Sequence, residues 1–169
     1  MVIALRLIHV LSGIFWVGSL LFIAGLLMPA VRAAGAAGGA VMGHIVQVRK
    51  LHQFMMGASL LVILSGFGLV YELAGPLGFQ WFAVGMGRAI GVGALLTLVA
   101  TALGLAVNAP TAQRIAKLAA GFQAAGRPPT PDEASQMQAL QGRLSRAAIA
   151  VTVLLVLAAA CMAVARYLP

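Results

Sequence analysis

The chain has 169 residues, 62% of them hydrophobic and 8% charged, with 11 Lys or Arg against 3 Asp or Glu. A soluble domain carries roughly 25% charged residues, so the composition excludes an ordinary water-soluble fold and gives an all-α polytopic membrane protein. The single cysteine, Cys161, excludes an internal disulfide and any multi-cysteine metal centre.

Four apolar runs, Leu7–Met28, Leu51–Tyr71, Phe79–Val107 and Ala147–Ala165, come close to or exceed the roughly 20 residues that cross a hydrocarbon core. They predict an antiparallel four-transmembrane-helix bundle in one membrane domain, with helices at about 7–28, 51–71, 79–107 and 147–167. The first run shows no separable charged region, short apolar region and cleavage site, so it reads as a retained helix. The positive charge is one-sided. Arg32, Arg49 and Lys50 follow the first helix, and Arg114, Lys117, Arg127, Arg143 and Arg146 follow the third. Arg6 and Arg166 alone flank the other side, with Arg88 inside a helix. Basic loops stay in the cytoplasm, which puts both termini outside. The net charge of +8 is then mainly a topology signal with the lipid bilayer as partner. Without an accompanying basic-aromatic stripe it does not point to nucleic acid.

The first helix is expected to start near Arg6 and to end at Met28-Pro29, because proline breaks a helix. On a 3.6-residue period His9, Ser12, Gly13, Trp16, Ser19, Leu20 and Ile23 share one face. The opposite face, Leu7, Leu11, Ile14, Gly18 and Phe22, carries no polar side chain. An ionisable residue in a membrane helix is costly and points into the bundle, which makes His9 the leading site candidate. The alternative is that His9 hydrogen-bonds a carbonyl or hydroxyl on a neighbouring helix.

After a pliable Ala/Gly turn at 33–40, residues 41–50 read as a cytoplasmic extension of the second helix. That extension sets His44, His52 and Met56 on one stripe. Thioethers with imidazole suit Cu(I), so His52 and Met56 form a second candidate metal site. The alternative is a solvated histidine pair beside packing methionines. A short connection at Gly75-Pro76 makes the second and third helices antiparallel neighbours.

The third helix is expected to open with Phe79-Gln80-Trp81, which with Tyr71 and Tyr167 would mark the outer interface. Gly87 and Gly91 form a small-xxx-small pair suited to close approach of another helix, or to a flat cofactor. Asn108-Ala109-Pro110 is expected to end this helix. Residues 109–146 then form a cytoplasmic helical hairpin. Thr130-Pro131-Asp132-Glu133 carries the capping signature of its second arm. No proline interrupts the chain from there to Leu168, so at about 1.5 Å per residue the last helix would reach roughly 57 Å.

By depth, His9, Arg88, Cys161, Met162 and Glu72 all fall in the outer half. Haem b would suit this set: His9 and Met162 (or Cys161) as ligands, Gly13 making room for the ring, Trp16 on the same face and Arg88 pairing with a propionate. Arg88 could instead snorkel outward or pair with Glu72. Copper, or no cofactor at all, remains open at this point.

Leu5 to Gly18, with His9, Trp16 seven residues on and Gly18 two further, resembles a loose group of bacterial four-helix membrane proteins. These are the copper-resistance D (CopD)-like domains, their uncharacterised relatives and, more distantly, the HemJ-type protoporphyrinogen oxidases. The resemblance implies a bacterial inner membrane. Through the HemJ-type members it implies a haem-ligand role for His9, and through the CopD-like members copper handling. Two functions are expected in competition: a small haem- or metal-binding redox protein using His9, and an accessory subunit of a larger membrane complex.

Overall fold

The protein's structure, a computed structural model, describes residues 1–83 and 85–168, and of Ala36 and Gln47 the backbone alone. Val84, inside the third expected helix, lies outside the described residues. The fold is all-α. Five helices follow in order: α1 Val2–Ala33, α2 Gly35–Gln47, α3 Leu51–Ala74, α4 Gly85–Ala125 and α5 Pro131–Val164. Helices α1, α3, α4 and α5 are each long and apolar enough to cross a membrane. With no water in a bilayer core, every backbone polar group must be satisfied within the segment, which is why these runs become helices. Hydroxyls obey the same constraint: Ser12, Ser59, Thr97, Thr101 and Thr152 each donate to a carbonyl three or four residues back.

Neither Pro29 nor Pro110 ends its helix, contrary to the sequence expectation. Each is preceded by a π-turn, Ile23–Leu27 in α1 and Gly104–Asn108 in α4. A helical proline lacks an N–H and its ring crowds the carbonyl four residues back. Those carbonyls, on Gly25 and Ala106, lie inside the π-turns, where the wider i→i+5 register carries the helix past the ring. The Met28 N–H accordingly reaches the Ile23 carbonyl and the Ala109 N–H that of Gly104. As a result α1 has 32 residues and α4 has 41.

Residues 41–50 are not a continuation of the second transmembrane helix. α2 stops before Val48, Lys50 adopts a left-handed conformation (φ 52°), and α3 begins afresh at Leu51. At its other end α2 is turned back on α1 through left-handed Gly35 (φ 57°). At the α4–α5 hairpin, α4 ends at left-handed Gly126 and α5 starts with the expected capping box. There Glu133 N–H donates to the Thr130 hydroxyl, and Thr130 N–H to the Glu133 carboxylate at 2.8 Å. At 34 residues α5 is about 51 Å long. Arg32 at the foot of α1 donates to the Ser145 hydroxyl of α5 at 3.1 Å, tying the two hairpins together.

The bundle is built as two close pairs, α1 with α3 and α4 with α5, while α3 and α4 barely touch. The pairs meet in a core of Trp16, Ala58, Val62, Ala100, Val151 and Leu155, which draws on all four helices. Towards the end of the bundle that carries the termini, the pairs part and leave a cleft.

Between α3 and α4 the chain runs as two short 3-10 turns within Gly75–Ala83, kinked at Gly78 (φ 53°), not as the opening of the third helix. Trp81 in it is 3% exposed, so it is no interfacial aromatic. A Cβ on Gly87 would fall 1.9 Å from the Trp81 carbonyl oxygen, and one on Gly91 2.9 Å from the Phe82 ring. The glycine pair therefore receives this connecting segment. On α4 a helix is seated instead at Gly93, whose Cβ position meets Met162 and the Ala158 carbonyl of α5. Tyr71, Phe79 and Tyr167 are exposed at the same end.

Candidate functional site

The polar face read from α1 is the face turned to the bundle. His9, Ser12, Gly13, Ser19 and Leu20 are half-buried and Trp16 is buried, while Leu7, Leu11, Ile14, Gly18 and Phe22 are exposed. His9 lies against α3. Its Nδ1–H donates to the Val62 carbonyl at 2.9 Å, with the Ser65 hydroxyl 3.3 Å away. Ser65 is itself buried and donates to the Leu61 carbonyl. A Cβ on Gly66 would stand 3.0 Å from His9 Cε1, so the absence of a side chain there gives the imidazole its seat. The bond to a neighbouring helix that the sequence offered as an alternative is thus made. A carbonyl can only accept, so Nδ1 carries the proton and, in the neutral ring, Nε2 carries the lone pair. Metal-binding histidines are commonly fixed this way, with one ring N–H given to a carbonyl and the other nitrogen left for the ligand.

His9 lines a cleft of about 440 Å³ between the two helix pairs, within the size range of roughly 300–1,000 Å³ typical of ligand sites. Met162 of α5 lines the same cleft, with Met86 and Thr97 of α4. The rest of the wall is largely apolar side chains of α3 and α4. Two cations belong to it, Arg6 on α1 and Arg166 just past α5. Arg166 stacks its guanidinium 4.5 Å from the Tyr167 ring centroid and donates to the Tyr167 hydroxyl. Val62 lines the cleft and belongs to the core, so the cleft's floor is the point where the four helices converge.

The other sequence candidates fall elsewhere. Gly13 faces Val62 of α3 and does not line the cleft. Trp16, 6% exposed, is a core residue one layer deeper. Arg88 is exposed and outside the cleft, because the buried side of α4's first turn is taken by Gly87 under the connecting segment. Nor does it pair with Glu72: among the described residues the one ion pair is Arg127–Glu133, at 2.9 Å. Cys161 is half-buried and not among the cleft residues. His52 and His44 are exposed, and Met56 is 60% exposed on the outer face of α3. The break at Lys50 takes His44 off the stripe of His52 and Met56. Among the described residues no three His, Cys, Asp or Glu side chains gather to hold a metal ion.

Sequence reasoning missed Arg6, Arg166 and Gly66. A signal for the first two was present: Arg6 precedes His9 by three residues and Arg166 follows Met162 by four, the spacings that share a helix face. Gly66 had none, since its role exists only once α1 packs on α3. Compared with protein-family models, with curated proteins and with solved structures, the chain matches none.

Proposed function

We propose that this polytopic membrane protein is a small haem-binding redox protein whose site is the cleft between its two helix pairs. The observation that carries the reading is the convergence of His9, Met162, Arg6 and Arg166 on one otherwise apolar cavity. The donor set fits haem b. His9 offers Nε2, Met162 offers a thioether from the opposite helix pair, and the apolar walls suit a flat macrocycle. A bound haem would supply one-electron chemistry, with a His/Met ligand pair favouring a raised potential. The chain's own part is to orient the imidazole through Val62, to exclude water with the walls of α3 and α4, and to hold anionic groups at the arginines.

The reading includes kinship with the CopD-like and HemJ-type membrane proteins through His9, Trp16 and Gly18. It also includes an orientation with the termini and the cleft mouth outside a bacterial inner membrane. That orientation rests on Arg32, Arg49, Lys50, Arg114, Lys117, Arg143 and Arg146, which gather at the opposite end.

The test is a reduced-minus-oxidised absorption spectrum of the purified protein beside His9→Ala and Met162→Leu. A Soret and α-band pair that His9→Ala abolishes and Met162→Leu shifts is the expected result. A featureless spectrum at full protein recovery, unchanged on adding haemin, would overturn the reading.

A further inference from the structure

Arg6 and Arg166 stand at the rim of an apolar cavity, and neither has a carboxylate partner among the described residues. Of the chain's three acids, Glu133 is engaged by Arg127 at the far hairpin and Asp132 is beside it, while Glu72, exposed next to the cleft residue Leu73, is not itself a cleft residue and makes no ion pair with either arginine. The two arginines come from different helix pairs, so they face the cleft from opposite sides of the gap. One of them, Arg166, stacks on the exposed Tyr167 ring and donates to its hydroxyl. An apolar slot with two guanidinium groups at one end, neither paired with a carboxylate among the described residues, is complementary to an amphiphile with an anionic edge. Arginine's planar fork matches carboxylate geometry in particular.

We infer that the cleft selects its ligand by charge: Arg6 and Arg166 receive the two carboxylates of a dicarboxylate tetrapyrrole while the apolar walls hold its ring. This rests on the haem reading and adds to it the feature of the ligand that is read. It also fixes the sense of insertion, with the ring edge bearing the carboxylates towards the termini and the opposite edge towards Val62 and the core. Arg88, exposed at the same end but outside the cleft, takes no part.

The experiment titrates haemin and haemin dimethyl ester into the full chain in nanodiscs of zwitterionic lipid, so that anionic lipid does not compete for the arginines. Affinity is read from the Soret band. The ester keeps the ring and the iron and removes both charges. Wild-type protein is expected to bind haemin about tenfold or more tighter than the ester, as charge-assisted hydrogen bonds require. Arg6→Gln with Arg166→Gln should close that gap by weakening haemin while leaving the ester unchanged. Arg88→Gln, the control for surface charge in general, should preserve it. Equal binding of both compounds by the wild type, with a spectrum that still depends on His9, overturns the inference and leaves the haem reading standing. So does an effect of Arg88→Gln as large as that of the cleft pair. Binding of neither compound overturns the reading and the inference together.

Discussion

His9 on α1 gives its Nδ1–H to the backbone carbonyl of Val62 on α3 across 2.9 Å. One bond thus joins the first two membrane helices, sets the tautomer of the imidazole, and leaves Nε2 with the lone pair of the neutral ring. Because Val62 also belongs to the core, the histidine is tied to the buried layer where the four helices meet. In ¹⁵N spectra of histidine-labelled protein, His9 is expected to show its ring proton on Nδ1. A ring protonated on Nε2 alone would contradict the geometry.

The seat of that ring should be sensitive to a single methyl. Gly66→Ala places a Cβ 3.0 Å from His9 Cε1 and 3.3 Å from Nδ1, so the ring or the helix must move. Overpacking of this kind costs about 1–3 kcal/mol. Thermal unfolding in detergent should show a clear fall in Tm, with the His9 ¹⁵N signals displaced. Gly57→Ala, on the same helix with nothing within 4 Å of its Cβ position, should leave both unchanged.

The connecting segment offers a test by fluorescence. A Cβ on Gly87 would lie 1.9 Å from the Trp81 carbonyl oxygen, a clash that only backbone movement can relieve. In a Trp16→Phe background, which leaves Trp81 as the sole tryptophan, Gly87→Ala should shift the emission to the red and open it to aqueous quenchers. Unaltered emission would mean that the segment does not lie over α4 as described.

At the hairpin outside the membrane, Glu133 is held at about 2, down from 4.5, first by its hydrogen bond from Arg127 and next by the Thr130 N–H. Because the folded value is depressed, the contribution to helix capping is present above the ordinary carboxylate value. It is lost as pH falls from there through about 2. The Glu133 carboxyl signal should therefore titrate near 2, and Arg127→Ala should raise its midpoint. Amide exchange in the first turn of α5 should accelerate over that same acid range, and Glu133→Gln should abolish the pH dependence.

The residues of α1 show how far a pattern carries. A 3.6-residue period separated His9, Ser12, Gly13 and Trp16 from Leu11, Ile14 and Gly18, and the structure turns those faces inward and outward respectively. The pattern could not rank the inward residues by depth. His9 meets the cleft, while Trp16, two turns on, meets the core, and only the partner helices distinguish them. The prolines mark a different limit. A rule about isolated helices placed ends at Pro29 and Pro110, whereas a π-turn before each proline carries both helices past the ring.

Four membrane-spanning helices, a positive charge gathered at one end and a capping box at the start of α5 were all legible in the residues alone. Each of these follows from local properties: run length against bilayer thickness, side-chain polarity, and hydrogen bonds within one turn. The tertiary structure alone decided that the helices pair as α1 with α3 and α4 with α5, and that a cleft opens between the pairs. It decided too that Arg6 and Arg166, and not Arg88, stand beside His9 and Met162. The physical reason is that helix association in lipid has no strong hydrophobic drive to read from composition. It turns on close fits such as His9 over Gly66, Phe82 over Gly91 and Met162 over Gly93, which exist only between residues far apart in the chain or brought back over it by a turn.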